Sequence, residues 1–392
     1  MTEKDHSNGH VFGRRRPSHG GKFPIHMRTK RDTHFRNLPP PTGELPFHLD
    51  LKSILPAKDY KDIADKKKLT FHVNGDMGGI EESMDQLLVA KGMEADFKPN
   101  AKASEKPAFL YITGDCVYFN GEVKEYYNQF YHPYEFYPGP IFAVPGNHDG
   151  ENLADDDSLT GFVRNFCAKE PIKMPESGDS MRTAMVQPNV YWALLTPVAT
   201  FVGLYSNVPA GGDIRSPQTE WMVEEFKKAS KNLLLIVTLH HPIYSADDVH
   251  SGSTYMKAVI EQSAKAAKRH PEVILTGHVH NYQRITKRMA NGDQFLYLVT
   301  GAGGYHNLHR MMKVNGHNLS PPVMFKDKDE DPVTVERYSA DHHGFLRLEI
   351  TDKITGRYYV VPRKHEPFSK GNQLFDHFEY DWRKKRNIPN VL

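Results

Sequence analysis

Cysteine is nearly absent: Cys116 and Cys167 are the only two in 392 residues. One disulfide at most can form, so a framework of the kind that staples small secreted domains is excluded. Long hydrophobic runs are missing too, and none approaches the roughly 20 residues of a bilayer span. Neither sign of charge dominates, since 50 Lys and Arg face 48 Asp and Glu for a formal net charge of +2. So balanced a molecule is not a polyanion-binding body, and nucleic acid is disfavoured as a partner. Arg14, Arg15 and Arg16 are followed by no apolar stretch, so no standard secretory or twin-arginine leader is read in the chain as given. The compartment stays open. Internal repeats are also missing.

What remains is an ordinary soluble composition, with 39% hydrophobic and 25% charged residues. Residues 1–55 read as a basic, Pro-, Gly- and His-rich N-terminal arm, with a Pro39-Pro40-Pro41 run and no helical or strand period. Its arginine cluster is a solvated basic tail, because no aromatic platform accompanies it. Residues 56–365 carry the chemistry. Residues 366–392, charged and aromatic, read as a C-terminal arm.

From about Asp59, short apolar runs bounded by turn residues alternate with helical segments, the signature of an α/β chain. The runs predict strands over 69–73, 108–113, 140–144, 189–195, 200–205, 233–239, 272–276, 294–300 and 344–350. Helices are predicted over 81–91, 122–130, 158–169, 218–229 and 254–269.

Five of the runs end in polar clusters of metal-ligand type: Gly75-Asp76, Gly114-Asp115, Gly146-Asn147-His148-Asp149, His240-His241 and Gly277-His278-Val279-His280. Ligands gather beyond the carboxyl ends of strands, where loops supply side chains and strands supply rigidity. Carboxylate, amide and imidazole brought to one edge suit iron, manganese or zinc rather than calcium or a thiolate-bound metal. A glycine before a ligand lets the backbone turn sharply and approach an ion closely.

In this order, the motifs resemble those of the calcineurin-like metallophosphoesterase superfamily. Its first motif usually reads Asp-x-His, whereas this chain reads Asp76-Met77-Gly78. The second motif continues Asp115-Cys116-Val117-Tyr118. A Tyr three residues after the Asp, with that His missing, resembles the purple acid phosphatase branch.

The resemblance implies a four-layer α/β fold of two packed mixed β-sheets flanked by helices. It implies two metal ions, with Asp76, Tyr118 and His280 on the first, Asn147, His240 and His278 on the second, and Asp115 bridging both. His241 would then support packing. His148 would contact the substrate phosphate and help protonate the leaving group, and His250 would contact substrate. A phenolate ligand favours Fe(3+) at the first site, with Fe(2+), Zn(2+) or Mn(2+) at the second.

The implied activity is acid-phosphatase-like hydrolysis of phosphate monoesters by a metal-bound hydroxide. The implied substrate is a small-molecule phosphate ester or a phosphoprotein, and a secreted, vacuolar or lysosomal setting fits the family. Two alternatives stand beside this. One is a phosphodiesterase acting on nucleotides or phospholipid headgroups; the other is a non-enzymatic scaffold on the same fold. The oligomeric state is not set by the sequence.

Overall fold

The computed structural model describes residues 37–79, 83–150, 159–206, 212–363, 366 and 371–389. The arginine cluster at 14–16, the expected helix starts at Glu81 and Ser158, and most of the basic arm lie outside the described residues.

Two mixed sheets form the body. In the first, β2 (Leu69–Asn74), β3 (Leu110–Ile112) and β4 (Ile141–Ala143) run parallel. On the other side of β2 lie β15 (Gly344–Ile350), β16 (Ile354–Val360), β17 (Gln373–Asp381) and β18 (Arg386–Ile388), all antiparallel, for seven strands.

The second sheet has nine strands. It begins with β1 (His48–Asp50), β5 (Trp192–Leu195), β6 (Ala199–Gly203), β7 (Leu234–Thr238) and β8 (Val273–Thr276). It continues with β10 (Gln294–Thr300), β9 (Tyr282–Arg288), β14 (Pro332–Ser339) and β13 (Val323–Lys326). Strands β6, β7, β8 and β10 are mutually parallel. A separate two-stranded ribbon pairs β11 (Lys313–Val314) with β12 (His317–Asn318).

The sheets pack face to face through aromatic rings. Phe201 of β6 meets Phe71 of β2 edge-on at 5.2 Å and lies flat on Tyr111 of β3 at 5.8 Å. Thr238 Oγ1 donates to Tyr111 Oη at 2.9 Å across the same gap. Both faces of β2 are buried although its sequence alternates apolar and polar residues, and the polar face is satisfied inside: His72 Nε2 bonds Asp96 at 2.9 Å and Asn74 Nδ2 donates to Tyr134 Oη at 3.3 Å. Helices α1 (Leu51–Ile54), α2 (Ala57–Lys66), α3 (Met84–Glu94), α4 (Thr160–Phe166), α5 (Gln218–Lys228) and α6 (Thr254–Ala267) complete the layers. At the start of α6, Ser253 accepts from the Met256 N–H, satisfying one of the first-turn donors that a helix cannot pair internally.

Every predicted strand is present, and four of the five predicted helices form with shifted ends. The helix expected over 122–130 does not form. A 3₁₀ turn (Val123–Glu125) and a π turn (Tyr127–Tyr131) replace it. The wide turn buries Gln129, Phe130 and Tyr131 in succession. The N-terminal segment supplies β1 and α1, and 366–392 supplies β17 and β18, so both are woven into the sheets. Three-residue strands carry too little period to read. In β17 the inward-facing Asp376 interrupts the apolar alternation, and Arg284 and Tyr282 satisfy its carboxylate at 2.7 and 2.8 Å.

Candidate metal centre

Six candidate donors stand just past strand ends, three from each sheet. Asp76 follows β2, Asp115 follows β3 and Asn147 follows β4; His240 follows β7, while His278 and His280 follow β8. Asp76, Asp115 and His278 take left-handed backbone angles, with φ of 56°, 53° and 68°. Asp and His tolerate that region better than most residues, and such angles concentrate at functional sites.

Glycines make the room. A Cβ on Gly277 would stand 2.6 Å from Asp76 Oδ2. One on Gly78 would stand 2.5 Å from Tyr118 Cδ2, so the Tyr118 ring packs where a larger residue 78 would need space.

The donors fall into two groups. In one, Tyr118 Oη lies 3.3 Å from Asp76 Oδ1 and 3.4 Å from His280 Nε2. In the other, Asn147 Oδ1 lies 3.0 Å from His240 Nε2 and 2.9 Å from His278 Nδ1. Asp115 Oδ2 joins the second group at 3.2 Å from His240 Nε2. Potential ligand atoms of Asp115, His240 and His278 all lie within 4.8 Å of one another.

The tautomers fit a cation. His240 Nδ1 donates to Thr113 O at 2.9 Å and His280 Nδ1 donates to Asn307 O at 2.8 Å. Each bond leaves Nε2 facing inward with its lone pair, the arrangement in which an outer hydrogen bond orients a metal-binding imidazole. Several acceptor atoms then crowd within about 3 Å of one another, and only a cation or a proton relieves that. The donor chemistry therefore fits a pair of metal ions.

A proton competes with a cation for the same place. Burial alone would push the His240 imidazole down, but the Asp115 carboxylate outweighs it and raises His240 to about 9. Burial would raise Asp115, yet the facing His240 and His148 hold it well below the usual carboxylate range. Burial, reinforced by the Asp115 and Asp76 charges, pushes the Tyr118 phenol far above its ordinary value. Without a cation, Tyr118 stays neutral.

Around the donors, His148 is half-buried, its Nδ1 donating to Phe119 O at 2.8 Å and its ring 4.4 Å from that of Tyr118. The His250 ring lies 4.4 Å from the His278 ring, and its backbone N–H donates to Asp247 Oδ2 at 2.7 Å. His241 bonds Ser206 Oγ through Nδ1 at 2.9 Å, in keeping with a packing role.

Three neighbours went unassigned in the sequence. Asp149 accepts from the N–H groups of Gly146, Cys116 and Val117, tying the Asn147 loop to the Asp115 loop. Burial and the Asp115 charge raise its carboxyl to about 7. Tyr305 stacks on Tyr118 at 4.2 Å, and His309 stacks on His280 at 4.2 Å. Asp149 sits within a motif and could have been found there. Tyr305 and His309 follow no ligand pattern and become neighbours only through the fold.

Residues 69–282, over half of the chain, match the model of the family described as calcineurin-like phosphoesterase. No curated protein matches the sequence. Among solved structures, GAP50, the anchor in the inner membrane complex of Plasmodium, is 16% identical with a TM-score of 0.53. That likeness covers 82% of this chain and 90% of that one. Purple acid phosphatase PPD1 from yellow lupin (Lupinus luteus) seeds is 18% identical with a TM-score of 0.55. The match covers 81% of this chain and 54% of the lupin chain, so this chain spans about half of the lupin enzyme's length. At these identities the likeness is one of fold.

Proposed function

Because this chain belongs to the calcineurin-like phosphoesterase family, we propose that it hydrolyses phosphate monoesters with two metal ions held as in purple acid phosphatases. One observation carries this reading: Tyr118 Oη stands 3.3 Å from Asp76 and 3.4 Å from His280, with Gly78 leaving space for its ring. Asp76, Tyr118 and His280 would hold the first ion, Asn147, His240 and His278 the second, and Asp115 both.

A phenol pushed up by burial ionises only beside a strongly Lewis-acidic ion, which selects Fe(3+) for the first site. Fe(2+), Zn(2+) or Mn(2+) suits the second. The ions, when bound, supply Lewis acidity at the phosphoryl oxygens and an activated water.

The chain's own groups do the rest. With Nδ1 of His148 committed to Phe119 O, Nε2 is the ring atom left to hand a proton to the departing alcohol oxygen. His250, on the His278 side, donates to the phosphoryl group. Tyr305, stacked on Tyr118, keeps water from the first donor group. A small phosphate ester is the expected substrate.

Metal analysis and a visible spectrum of purified protein test the reading, alongside hydrolysis of 4-nitrophenyl phosphate and bis(4-nitrophenyl) phosphate. Expected are iron, a tyrosinate-to-iron band that Tyr118→Phe removes, and faster turnover of the monoester. Iron-loaded protein without the band would sink the purple-acid assignment, and faster diester turnover would favour the phosphodiesterase.

GAP50 is by its description an anchor, and a scaffold on this fold is the second reading. It predicts protein that takes up no metal, and the full set of seven donors counts against it.

A further inference from the structure

The alcohol half of the ester must lie to one side of the donor set, and a cavity begins one residue along the chain from a side chain that packs on that set. It measures about 720 Å³, within the roughly 300–1,000 Å³ typical of small-molecule sites. His309 connects the two along the chain. Its backbone N–H donates to His280 O at 3.0 Å, and its ring lies flat on the His280 ring at 4.2 Å. The next residue, Arg310, lines the cavity. A second wall ends at Asp341, two residues before His343, whose ring bonds Tyr305 O at 2.9 Å. Tyr305 in turn stacks on Tyr118. One wall is thus one residue from His309, which packs on a donor, and the other is two residues from His343, which holds the backbone of Tyr305.

The charge of the lining indicates what enters. Arg310, Lys313 and Arg337 all line the cavity, and among the described residues none of them pairs with a carboxylate. Arg337 lies over the Phe375 ring at 4.7 Å, which fixes the plane of its guanidinium fork. Asp248 and Asp341 also line the cavity. Asp341 is already matched by Arg363 at 3.2 Å and His342 at 3.1 Å. The donor set accounts for the scissile phosphate and leaves these three cations for a second anion. Forked and ammonium donors of this kind recognise phosphate and carboxylate.

On the phosphoesterase reading, we propose that the substrate is a small phosphate monoester whose alcohol half carries a second anionic group. That group is a phosphate or a carboxylate, held by Arg310, Lys313 and Arg337.

Two matched pairs of esters test this on metal-loaded protein. Fructose 1,6-bisphosphate against fructose 6-phosphate probes a second phosphate. 3-Phosphoglycerate against glycerol 3-phosphate probes a carboxylate. In at least one pair the doubly anionic ester should show a kcat/KM about tenfold higher or more, and in R310Q/R337Q that ratio should fall to within about twofold of unity. Equal kcat/KM within both pairs overturns the assignment, as does a preference that survives in the double variant.

If none of the four is hydrolysed, hydrolysis of 4-nitrophenyl phosphate still judges the phosphoesterase reading, and calorimetric binding of the same four compounds judges the cavity. About tenfold tighter binding of a doubly anionic ester, lost in the double variant, keeps the assignment; equal affinities overturn it. Lys313→Gln, a single exposed change, repeats the test should the double variant fail to fold.

Discussion

At the scale of single residues, Asp115 occupies the critical position. Its Oδ1 accepts from the His148 N–H at 2.9 Å while its Oδ2 faces His240 at 3.2 Å. Asn at this position keeps the shape and removes the charge that raises His240, so Asp115→Asn should lower kcat by about a thousandfold or more, about 4 kcal/mol of barrier. Steady-state kinetics with a parallel metal count checks it, and a loss below tenfold would contradict the role. His148→Ala should slow turnover by roughly a hundredfold, the usual scale for a lost proton donor. Both metals should remain by elemental analysis, and an emptied site would make His148 a ligand rather than a proton donor. Asp76, Asp115, Asn147 and His278 could be singled out as candidate donors in the sequence because each follows a glycine past a strand end, a mark that Tyr118, His240 and His280 lack. Tyr305 and His309 carry no such mark, and only the turn after β10 brings them there.

At the scale of elements, a buried ionic clamp joins α6, β9 and the loop between β13 and β14. Lys257 of α6 reaches Asp327 at 2.8 Å, Lys287 of β9 reaches it at 3.5 Å, and Tyr244 Oη donates to it at 3.0 Å. Burial would raise the Asp327 carboxyl, but the two ammonium groups outweigh that and hold it at about 2. A depressed carboxylate stabilises the fold fully above its unfolded value of about 3.9, and that stability is lost as pH falls toward 2. Asp327→Asn should therefore cost about 3 kcal/mol at pH 7, with the gap to wild type closing by about pH 2 in urea titrations. A gap independent of pH would refute the clamp. Removal of residues 366–392 should give insoluble or unfolded protein, because it strips β17 and β18 and leaves Arg284 without Asp376. A soluble truncation with the wild-type melting temperature would show the segment to be a dispensable arm. The sequence hid these strands for a physical reason: a polar residue in a buried position reads as loop until its partner on the other sheet is known.

For the molecule as a whole, three donors come from each sheet's strand ends, with Tyr118 on the loop after β3. Ions bound between them would fasten the two sheets together. Chelation should lower the melting temperature by at least about 5 °C, given a few kcal/mol of linkage from a tightly bound ion. Calorimetry with and without chelator reads this directly, and no shift would mean that the ions leave the sheets' association untouched. The two-sheet α/β plan was legible because parallel strands and their crossovers are local in sequence, whereas the pairing of β15 with β2 joins segments far apart in the chain.

The strand order β18-β17-β16-β15-β2-β3-β4 sets β2, among the earliest strands made, beside β15, among the last. A nascent chain that has just cleared the ribosome through His280 has delivered all seven donors. The neighbour of the strand that carries Asp76 is still untranslated. The strand that carries Asp76 therefore gains its second neighbour only late in synthesis, and the proposed metal centre would be completed after the donors themselves have been made.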